Sequence, residues 1–452
     1  MKHNTSHFSP INLSSPVTFN DSLPESTDVV IVGGGIIGIA TALQLASRGQ
    51  QVVVLEKGRV AGEQSSRNWG WIRQTGRDAG ELPLMMESLE HWKALASATG
   101  ENTLAFSEQG VLYLASTQKS LDKFEAFSQL AKSHGLVSTV LTSDEVSKKL
   151  PVGSQRWLGG LHTVSDGRAE PWFAVPALAR AAQREGVKII ENCAASAVDT
   201  TAGTVSGVQC EKGTINCSQV LLAGGAWTSL LARRSGISLP QLSVKSTVMR
   251  VENLPACCDT NAADERIAFC RRADGAHTVA LSDYHEFYIG PDAFRHLGRY
   301  RQAIKTAKRE TRYRLTSPAG YPDAWGTARR WTTADESPFV KNRMLDPTPA
   351  PTVATEMLRR LQVRFPDCRD LTITHLWAGM IDTMPDFVPV LDESTVPGLY
   401  LATGFSGHGF GIGPGAGRVM ADLMCRNEIG HDLSRFRFSR FTDGSELVLG
   451  PH

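Results

Sequence analysis

A strand, a glycine-rich turn, a helix and a second strand follow one another between residues 28 and 57. The first strand is almost entirely β-branched with no polar alternation, which is typical of a parallel strand buried on both faces. Gly33 permits a tight turn, Gly35 lets backbone N–H groups approach a pyrophosphate, and Gly38 lets the helix lie close to the strand. Glu56 ends the second strand, where a carboxylate can bind a ribose diol and repels the 2′-phosphate of NADP. The pattern predicts a dinucleotide site, with a purely structural turn as the alternative.

Two later segments repeat the pattern of a buried strand followed by small residues. Residues 219–227 run from Val and Leu into alanine and glycine, and residues 398–411 run into glycines ahead of a helix expected from about Pro414 to Cys425. We expect residues 219–222 to form a parallel strand beside the first. Because parallel strands place their carboxyl ends at one edge of a sheet, the three segments are predicted to converge on one cofactor.

Length and composition favour a folded protein of two domains. The chain has 452 residues, of which 41% are hydrophobic and 21% charged, and this length exceeds that of one ordinary core. A net charge of +1 gives no overall basic field for nucleic acid and no polybasic patch for anionic lipid. The sequence contains no long uncharged apolar run, so no membrane span is predicted. Residues 1–26 are rich in Ser, Asn and Pro, which argues against a secretory signal and predicts a loose tail on a cytoplasmic protein.

The eight cysteines are scattered, with no C-x-x-C pair and no Cys/His cluster. We therefore predict no metal or iron–sulfur site, and reduced thiols as in a cytoplasmic protein. Cys257 and Cys258 are either a vicinal pair or a chance neighbourhood in a loop.

The middle of the chain, residues 240–365, has a different character. Residues 247–251, 277–281 and 286–289 are predicted to be antiparallel strands of a second domain. Residues 295–312 are predicted to be a strongly basic helix, which we interpret as a solvated face, with anion binding as the alternative. Its basic residues are Arg295, Arg299, Arg301, Lys305, Lys308, Arg309 and Arg312.

These motifs together resemble the FAD-dependent D-amino acid oxidase superfamily. The resemblance lies in the opening turn with Glu56, in Leu222 to Trp227, and in Thr403 to Phe410 before the last helix. Within that superfamily the sequence is most similar to the branch of sarcosine oxidase, glycine oxidase and D-amino acid dehydrogenase. About half of the chain is covered, in residues 28–100, 159–231 and 371–425.

The resemblance implies an α/β protein with two domains. One is a Rossmann-like FAD-binding domain of the glutathione-reductase type, and the other is an α+β substrate domain with a mixed, largely antiparallel sheet over the flavin. We assign residues 27–101, 158–238 and 371–430 to the FAD-binding domain, 102–157 and 239–370 to the substrate domain, 1–26 to a flexible N-terminal tail and 431–452 to a C-terminal tail.

The resemblance also implies which residues bind FAD. Ala195 is expected to meet the adenine through its backbone, and the amides of residues 407–412 to pass along the flavin pyrimidine. A helix N-terminus there stabilises negative charge on the reduced ring. His408, in this segment, is a candidate for tuning the flavin or moving a proton, or packs structurally. The predicted cofactor residues are Gly33, Gly35, Ile36, Ile37, Gly38, Glu56, Lys57, Ser65, Ser66, Ala195, Ala223, Gly224, Gly225, Trp227, Gly379, Gly407, His408, Gly409, Phe410, Gly411 and Ile412.

Covalent attachment of the flavin is not expected. Sarcosine oxidases with a covalent flavin carry a Cys where this chain has Gly379, and relatives linked through histidine carry it in a loop that matches residues 57–77, which contain none. The resemblance therefore implies non-covalent FAD.

Enzymes of this superfamily oxidise the C–N bond of an amine by hydride transfer to flavin N5, and the imine is then hydrolysed. Such chemistry needs little acid–base machinery, so the informative residue is an arginine that anchors a substrate carboxylate above the flavin. Arg73 is the first candidate and Arg77 the second. The alternative is that both arginines only pin the loop 62–77 to neighbouring carboxylates or to the flavin phosphate.

Further candidates surround this arginine loop. Trp69 and Trp71 are expected to wall the amine, because a ring face attracts cations and methylene groups, or else to belong to the core. His285 and Tyr288 are candidates for substrate binding, with plain sheet-edge positions as the alternative. Lys245 is the candidate for the cation that oxidases place near the flavin for oxygen.

The predicted function is therefore oxidation of an amine or amino acid, with a secondary amine or N-alkyl amino acid preferred. A 2-hydroxy acid as substrate and an FAD-binding subunit of a larger complex are the alternatives. Oxygen or a quinone is the expected electron acceptor. Nucleic acid is not an expected partner, and the oligomeric state stays open.

Overall fold

The computed structural model describes residues 10–99, 101–151, 157–255, 259–332, 335–368 and 370–450. Within them, the strands are β1 Val29–Val32, β2 Val52–Leu55, β3 Trp71–Ile72, β4 Val111–Ala115, β5 Ser138–Thr142, β6 Gly159–Thr163, β7 Gly167–Arg168, β8 Lys188–Ile190, β9 Ala195–Thr201, β10 Thr204–Cys210, β11 Gly213–Asn216, β12 Gln219–Leu222, β13 Leu242–Glu252, β14 Asn261–Ala263, β15 Ile267–Arg271, β16 His277–Leu281, β17 His285–Tyr288, β18 Thr311–Arg314, β19 Thr372–Thr383, β20 Val390–Glu393 and β21 Leu399–Thr403.

The helices of the same residues are α1 Ile36–Ala46, α2 Gln64–Arg67, α3 Leu82–Thr99, α4 Glu101–Leu104, α5 Gln118–Ser133, α6 Ser143–Lys149, α7 Pro171–Arg184, α8 Thr228–Arg234, α9 Pro291–His296, α10 Arg301–Thr306, α11 Pro338–Lys341, α12 Pro351–Arg364 and α13 Gly409–Cys425. Short 3₁₀ turns cover Gly225–Trp227, Ser434–Phe436 and Phe438–Phe441. No helix of the described ranges combines the length and the apolar character needed to cross a bilayer.

A six-stranded sheet has the order β20-β21-β12-β1-β2-β8, and all its neighbours are parallel except β20 and β21. The three strands that precede the glycine-bearing segments are therefore adjacent, with β1 beside β12 and β12 beside β21. The predicted convergence of these segments is confirmed. Their carboxyl ends meet at one edge, where ligands of such sheets bind.

Helices α1 and α13 pack closely against each other because glycines of α13 face α1. A Cβ added at Gly417 would lie 2.6 Å from the Ala40 carbonyl carbon, and one at Gly413 would lie 2.5 Å from Ile36 Cγ1. The helix predicted from Pro414 in fact begins at Gly409. Packing against α1 holds glycines in a helix that their weak propensity does not predict.

The second large sheet has ten strands. Its order is β18-β17-β13-β16-β15-β14-β4-β6-β5, with β19 paired to β13. Its pairs are antiparallel except β14 with β4 and β17 with β18. The prediction of a mixed, largely antiparallel sheet is confirmed, as are the three antiparallel strands predicted in its centre.

The basic helix predicted over residues 295–312 is wrong. Two short helices, α9 and α10, replace it, and the chain then forms the edge strand β18. Gly298 lies between the two helices, and residues 311–314 pair with β17. Helical spacing is thus kept within α9 and α10, and strand pairing replaces it only from Thr311 onward.

Both predicted tails are packed where they are described. Phe19 is 1% exposed, and the Thr18 N–H donates to the Glu191 carboxylate. Near the other end, the Arg440 guanidinium lies 2.8 Å from the buried Asp386 carboxylate. The loose tail predicted over 1–26 is therefore wrong for residues 10–26, which bury an aromatic side chain. Residues 1–9 and the pair Cys257–Cys258 lie outside the described ranges, and the described cysteines form no disulfide.

Candidate active site

A cavity of about 830 Å³ lies between the carboxyl edge of the six-stranded sheet and one face of the ten-stranded sheet. It is lined by both the first glycine turn and the start of α13. The predicted site residues that line it are Gly33, Gly35, Ile36, Ile37, Glu56, Lys57, Ser65, Trp69, Trp71, Arg73, Arg77, Ala195, Ala223, Gly224, Gly225, Trp227, His285, Gly379, Gly407, His408, Gly409, Phe410 and Gly411. One continuous space therefore joins the predicted cofactor and substrate residues.

The glycine turn fits a pyrophosphate. Gly33 has a φ of 117°, and a Cβ there would lie 2.4 Å from the Ala223 carbonyl oxygen. Gly35 is the N-cap of α1 without a side-chain cap, and the Ile36 N–H donates to Ser65 Oγ at 2.9 Å. The start of α1 thus presents amides and the positive end of its dipole at a wall without side-chain bulk. Such a wall suits the diphosphate of FAD.

Glu56 occupies the position expected for a ribose acid. Its Oε2 accepts the Gly34 N–H at 2.8 Å and its Oε1 accepts the Gly58 N–H at 2.7 Å. Each oxygen keeps a further lone pair for a hydroxyl. Burial raises the pKa of Glu56 to about 7, although Lys57 and both amides act in the opposite direction.

Glu63 fixes two of the predicted cofactor residues. Its carboxylate lies 2.6 Å from Lys57 Nζ and accepts the Trp227 indole N–H at 3.1 Å. Lys57 Nζ also lies 4.5 Å from the centroid of the Trp227 ring. Glu63 thus neutralises the charge of Lys57. The contacts among Lys57, Glu63 and Trp227 hold these side chains together as a wall beside the glycine turn.

Three predicted cofactor residues are absent from the cavity wall that the described residues form. The Ser66 hydroxyl faces the other side of α2 and accepts the Ile11 N–H at 3.1 Å. Gly38 lies under the turn, where a Cβ would be 2.1 Å from the Gly33 carbonyl oxygen. Ile412 is fully buried in the core. Each of these three residues points into the protein from its helix, so direct contact with the cofactor stays a prediction, whereas the close packing at Gly38 is observed.

The N-terminus of α13 forms another wall of the cavity. His408 is its N-cap residue and is buried, with Nδ1 3.6 Å from Glu81 Oε2. Burial lowers the pKa of His408 to about 4, with Glu81 opposing the change and Arg77 adding to it. The imidazole is therefore neutral at pH 7.

The loop that carries Arg73 is held by a buried carboxylate. Asp166 accepts the Gln74 N–H at 2.7 Å and the Thr75 hydroxyl at 2.5 Å. The Arg73 guanidinium donates to the Thr75 carbonyl and lies 5.9 Å from the centroid of the Tyr113 ring. A half-buried arginine fixed in this way on the cavity wall is suited to an anionic group.

Arg77 has a different environment from Arg73. It is 3% exposed and donates to the carbonyls of Arg73 at 3.1 Å and of His408 at 3.2 Å. Glu81 Oε2 lies 3.5 Å from its guanidinium. Burial lowers the pKa of Arg77 to about 10, which leaves it charged at pH 7. These contacts support the interpretation that Arg77 pins the loop, here to the start of α13.

Aromatic rings cover the cavity beside Arg73. Trp69 and Trp71 meet edge to face with centroids 5.4 Å apart, and Trp71 meets Tyr113 at 6.1 Å. His285 and Phe287 of β17 line the cavity from the ten-stranded sheet. The wall is thus rich in ring surface, which suits apolar and cationic groups.

Lys245 and Tyr288 are predicted site residues that do not line the cavity. The alternate residues Val244, Ser246 and Val248 of β13 line the cavity, so Lys245 points to the opposite face of the sheet. There its Nζ lies 2.7 Å from Glu286 Oε2. Tyr288 shares that face and packs on Tyr321 with centroids 5.3 Å apart.

Three buried acids that organise the site were missed. Glu81 contacts Arg77 and His408, Asp166 holds the arginine loop, and Asp382 accepts the Gln241 amide and the Gly404 N–H, each at 2.8 Å. Arg77 and Glu81 are only four residues apart, in the turn just before α3, so one such pair is close in sequence as well as in space. The partners of Asp166 and Asp382 are distant in sequence and left no local pattern.

Comparison with known proteins agrees with this geometry. Residues 28–423 match the family model described as FAD dependent oxidoreductase. The chain is 27% identical to sarcosine oxidase subunit beta of Arthrobacter sp over 437 residues, which cover 94% of this chain and 93% of that protein. It is 25% identical to glycine oxidase of Geobacillus kaustophilus strain HTA426 over 430 residues, which cover 91% and 97% of the two chains.

A solved structure is similar over almost the whole length. L-amino acid deaminase from Proteus myxofaciens, in complex with anthranilate, superposes with a TM-score of 0.89 at 29% identity. The match covers 96% of this chain and 97% of that one. The arrangement of both sheets around one cavity is thus shared with a solved structure.

Proposed function

The chain belongs to the FAD dependent oxidoreductase family, and from that premise we propose that it oxidises the C–N bond of an amino acid or amine. Bound FAD supplies an acceptor for the hydride that leaves the carbon next to nitrogen. The resulting imine is hydrolysed by water to a carbonyl compound and an amine or ammonia. A secondary amine or N-alkyl amino acid is the preferred substrate, because a relative of which 93% is matched is named for sarcosine.

The observation that carries this proposal is the position of Arg73. It lines the same cavity as the first glycine turn and the start of α13, with its guanidinium 5.9 Å from the centroid of the Tyr113 ring. A planar guanidinium binds a carboxylate in two parallel hydrogen bonds and so fixes the orientation of the carbon between carboxylate and nitrogen. In the proposed complex Trp69 and Trp71 exclude water on the other side.

The neighbouring groups suit a substrate whose amine is neutral when it reacts. His408 has a pKa of about 4, so it is uncharged at pH 7 and does not repel the developing positive charge on nitrogen. Arg77 is engaged with Glu81 and with backbone carbonyls, and acts as a positioning residue for the loop.

Anaerobic titration tests the proposal. D-, L- and N-methyl amino acids, cyclic imino acids, polyamines and 2-hydroxy acids are added to the FAD-loaded protein while the oxidised flavin absorbance is followed. We expect bleaching by at least one amino acid or N-alkyl amino acid. Bleaching by hydroxy acids alone contradicts the proposal.

Substitution of Arg73 tests the anchor. Arg73→Lys keeps the charge but loses the paired hydrogen bonds, so kcat/KM for a carboxylate substrate is expected to fall about a hundredfold. An uncharged amine is the internal control and should lose less than about threefold, because it makes no such pair. Equal losses on both substrates contradict the anchor role.

Non-covalent attachment is part of the proposal. A Cβ at Gly379 would lie 3.2 Å from Arg67 Cβ, so the position that carries a cysteine in covalent relatives has little room for a side chain. Acid precipitation of the loaded protein should release the FAD into the supernatant. Yellow colour that stays in the pellet after denaturation contradicts this assignment.

A second function is favoured by one match. The relative from Arthrobacter sp is named as a subunit, and the chain covers 93% of it. An FAD-binding subunit of a larger complex would purify from its native cells with a partner in fixed stoichiometry. It would also bind FAD that no small substrate reduces when the chain is alone. Reduction by an amino acid in the isolated chain excludes a purely assembling role.

The electron acceptor is proposed to be oxygen or a quinone. Repeating a positive titration with air or with a water-soluble quinone analogue distinguishes the two, because only the preferred acceptor restores the oxidised spectrum within the turnover time.

A further inference from the structure

Residues 291–325, which we call the cavity rim, form the outer border of the substrate end of the cavity. Ala293, Phe294, Leu297 and Tyr313 belong to this stretch and line the cavity. Phe294, Leu297 and Tyr313 are also exposed to solvent, so they border its opening.

The cavity rim concentrates exposed apolar side chains. Phe294 is 62% exposed, Leu297 50%, Tyr313 44%, Leu315 82% and Trp325 59%. The rings of Phe294 and Trp325 are in contact with centroids 6.1 Å apart, so separate parts of the chain bring their apolar groups together. Leaving such groups in water is unfavourable unless something covers them.

The same stretch concentrates positive charge. It holds eight Lys and Arg residues against three Asp and Glu, a net charge of +5 where the whole chain has +1. Asp292 pairs with Arg233 outside the rim and with Arg295 within it, and Asp323 pairs with Arg329 outside it. Among the cations of the rim, Arg314 pairs with Glu286 outside it. The exposed cations of the rim include Arg301, Lys305, Lys308, Arg309 and Arg312.

The combination of basic and exposed apolar side chains indicates which kind of surface covers the rim. Protein–protein interfaces are enriched in aromatic residues and arginine and depleted in lysine, so the aromatic and arginine side chains of the rim fit a protein as well as a membrane. The net charge of +5, to which Lys305 and Lys308 contribute, is what favours an anionic bilayer. Here long basic side chains alternate with protruding aromatic and leucine side chains. That combination suits the headgroup region of a bilayer, where basic residues attract anionic lipids and aromatic rings enter the boundary with the acyl chains. We propose that the cavity rim docks on the surface of an anionic phospholipid bilayer, with the cavity opening facing the membrane.

The low net charge of the whole chain conceals this surface. Averaging over 452 residues hides the +5 of one segment, and the spacing of its basic residues alone is equally typical of a solvated helix. The exposed apolar side chains are the second, independent observation, and only the folded structure reveals them.

Sedimentation with vesicles tests the proposal. The full-length, FAD-loaded protein is mixed with large unilamellar vesicles of phosphatidylglycerol and phosphatidylcholine, or of phosphatidylcholine alone, at low and at physiological salt. We expect binding to the anionic vesicles at least about tenfold tighter than to the neutral ones, and weaker at higher salt. No substrate is present, so this result is independent of whether the chain oxidises amines.

Two sets of variants assign the contact. Arg301→Glu, Lys305→Glu and Lys308→Glu together should weaken binding to anionic vesicles by more than about tenfold. The matched control is Lys132→Glu, Lys188→Glu and Lys212→Glu, which changes the net charge equally at exposed positions elsewhere and should retain most of the binding. Leu315→Ser with Trp325→Ser removes apolar groups that do not line the cavity and should weaken binding several-fold.

The flavin spectrum of each variant confirms folding before vesicles are added. Equal binding to neutral and anionic vesicles, or equal losses in the two charge sets, overturns the proposal. Absence of any vesicle binding overturns it as well and leaves a protein as the occupant of the rim.

Discussion

Glu56 combines two properties that set the pH dependence of cofactor binding. Burial raises the pKa of Glu56 to about 7, and the proposed ribose contact needs the ionised form as acceptor. FAD affinity is therefore expected to increase as the pH rises from 6 to 8. Glu56→Gln should raise the Kd for FAD about tenfold at pH 8 and abolish this pH dependence. Fluorescence titration measures both effects, and the exposed Glu90→Gln is the control, expected to match the wild type.

His408 makes stability depend on pH in the acid range. Its pKa in the folded chain is lowered to about 4, below the ordinary value of 6.5, so the folded state favours the neutral ring. Its contribution is fully present above pH 6.5 and is lost as the pH falls toward 4. The loss amounts to at most about 3 kcal/mol.

Urea unfolding of the FAD-free chain at pH 7 and at pH 4.5 measures this effect. The free energy of unfolding of His408→Gln should fall less between the two pH values than that of the wild type. Equal falls in both proteins contradict a buried neutral histidine.

Lys245 is expected to have no direct part in the reaction with oxygen. Because its side chain lies on the face of β13 opposite the cavity, Lys245→Met should leave the rate constant for flavin reoxidation unchanged within about twofold. Stopped-flow mixing of the reduced protein with oxygen measures that constant. A tenfold fall shows that the lysine acts on the flavin after all.

At the scale of elements, the contact between α1 and the first strand depends on a residue without a side chain. A Cβ at Gly38 would lie 2.1 Å from the Gly33 carbonyl oxygen, so Gly38→Ala must move the helix start away from the strand. We expect a loss of several kcal/mol in stability and FAD affinity reduced more than about tenfold. Gly326→Ala is the control, since a Cβ there meets nothing within 4 Å. Thermal unfolding and FAD titration of both variants measure the difference.

Element boundaries were less predictable than element types. The strands β1, β12 and β21 are short apolar runs that end in glycine, and their pattern was sufficient to place them in one sheet. In contrast, residues 295–312 have helical spacing yet end as an edge strand. The energy of pairing with β17 comes from a distant part of the chain, so no local pattern could report it.

At the scale of the whole molecule, the C-terminal segment is a structural part of the fold. The Arg440 guanidinium donates to both oxygens of the fully buried Asp386 at 2.8 and 3.2 Å, and to the Val388 carbonyl at 2.6 Å. Removing the arginine would leave the buried carboxylate with Arg435 alone, whose Nη1 lies 3.9 Å from Asp386 Oδ2. Arg440→Met is therefore expected to cost about 3–5 kcal/mol.

The matched control is Arg437→Met. Arg437 pairs with Asp443 near the surface, where both side chains are about one-third exposed, so the expected cost is below about 1 kcal/mol. Urea unfolding measures both variants. Equal costs contradict the view that burial of Asp386 decides the effect.

The sequence by itself determined the class of fold, the order of the three glycine-bearing segments and the residues of the glycine turn. These features follow from contacts between neighbours in the chain, where strand pattern, turn residues and helix start lie within about thirty positions of one another. It also determined that Arg73 and Arg77 lie in one loop.

Only the tertiary structure decided which side chains face the cavity. Along β13 and β17, neighbouring side chains point to opposite faces of the sheet. Which face meets the cavity depends on the elements packed against the sheet. In the folded structure, Lys245 and Tyr288 lie on the face that does not line the cavity. In the same way Glu81, Asp166 and Asp382 became site residues through partners brought close by folding. The interaction between two charged groups depends on their distance in the folded protein, and the sequence alone does not give that distance.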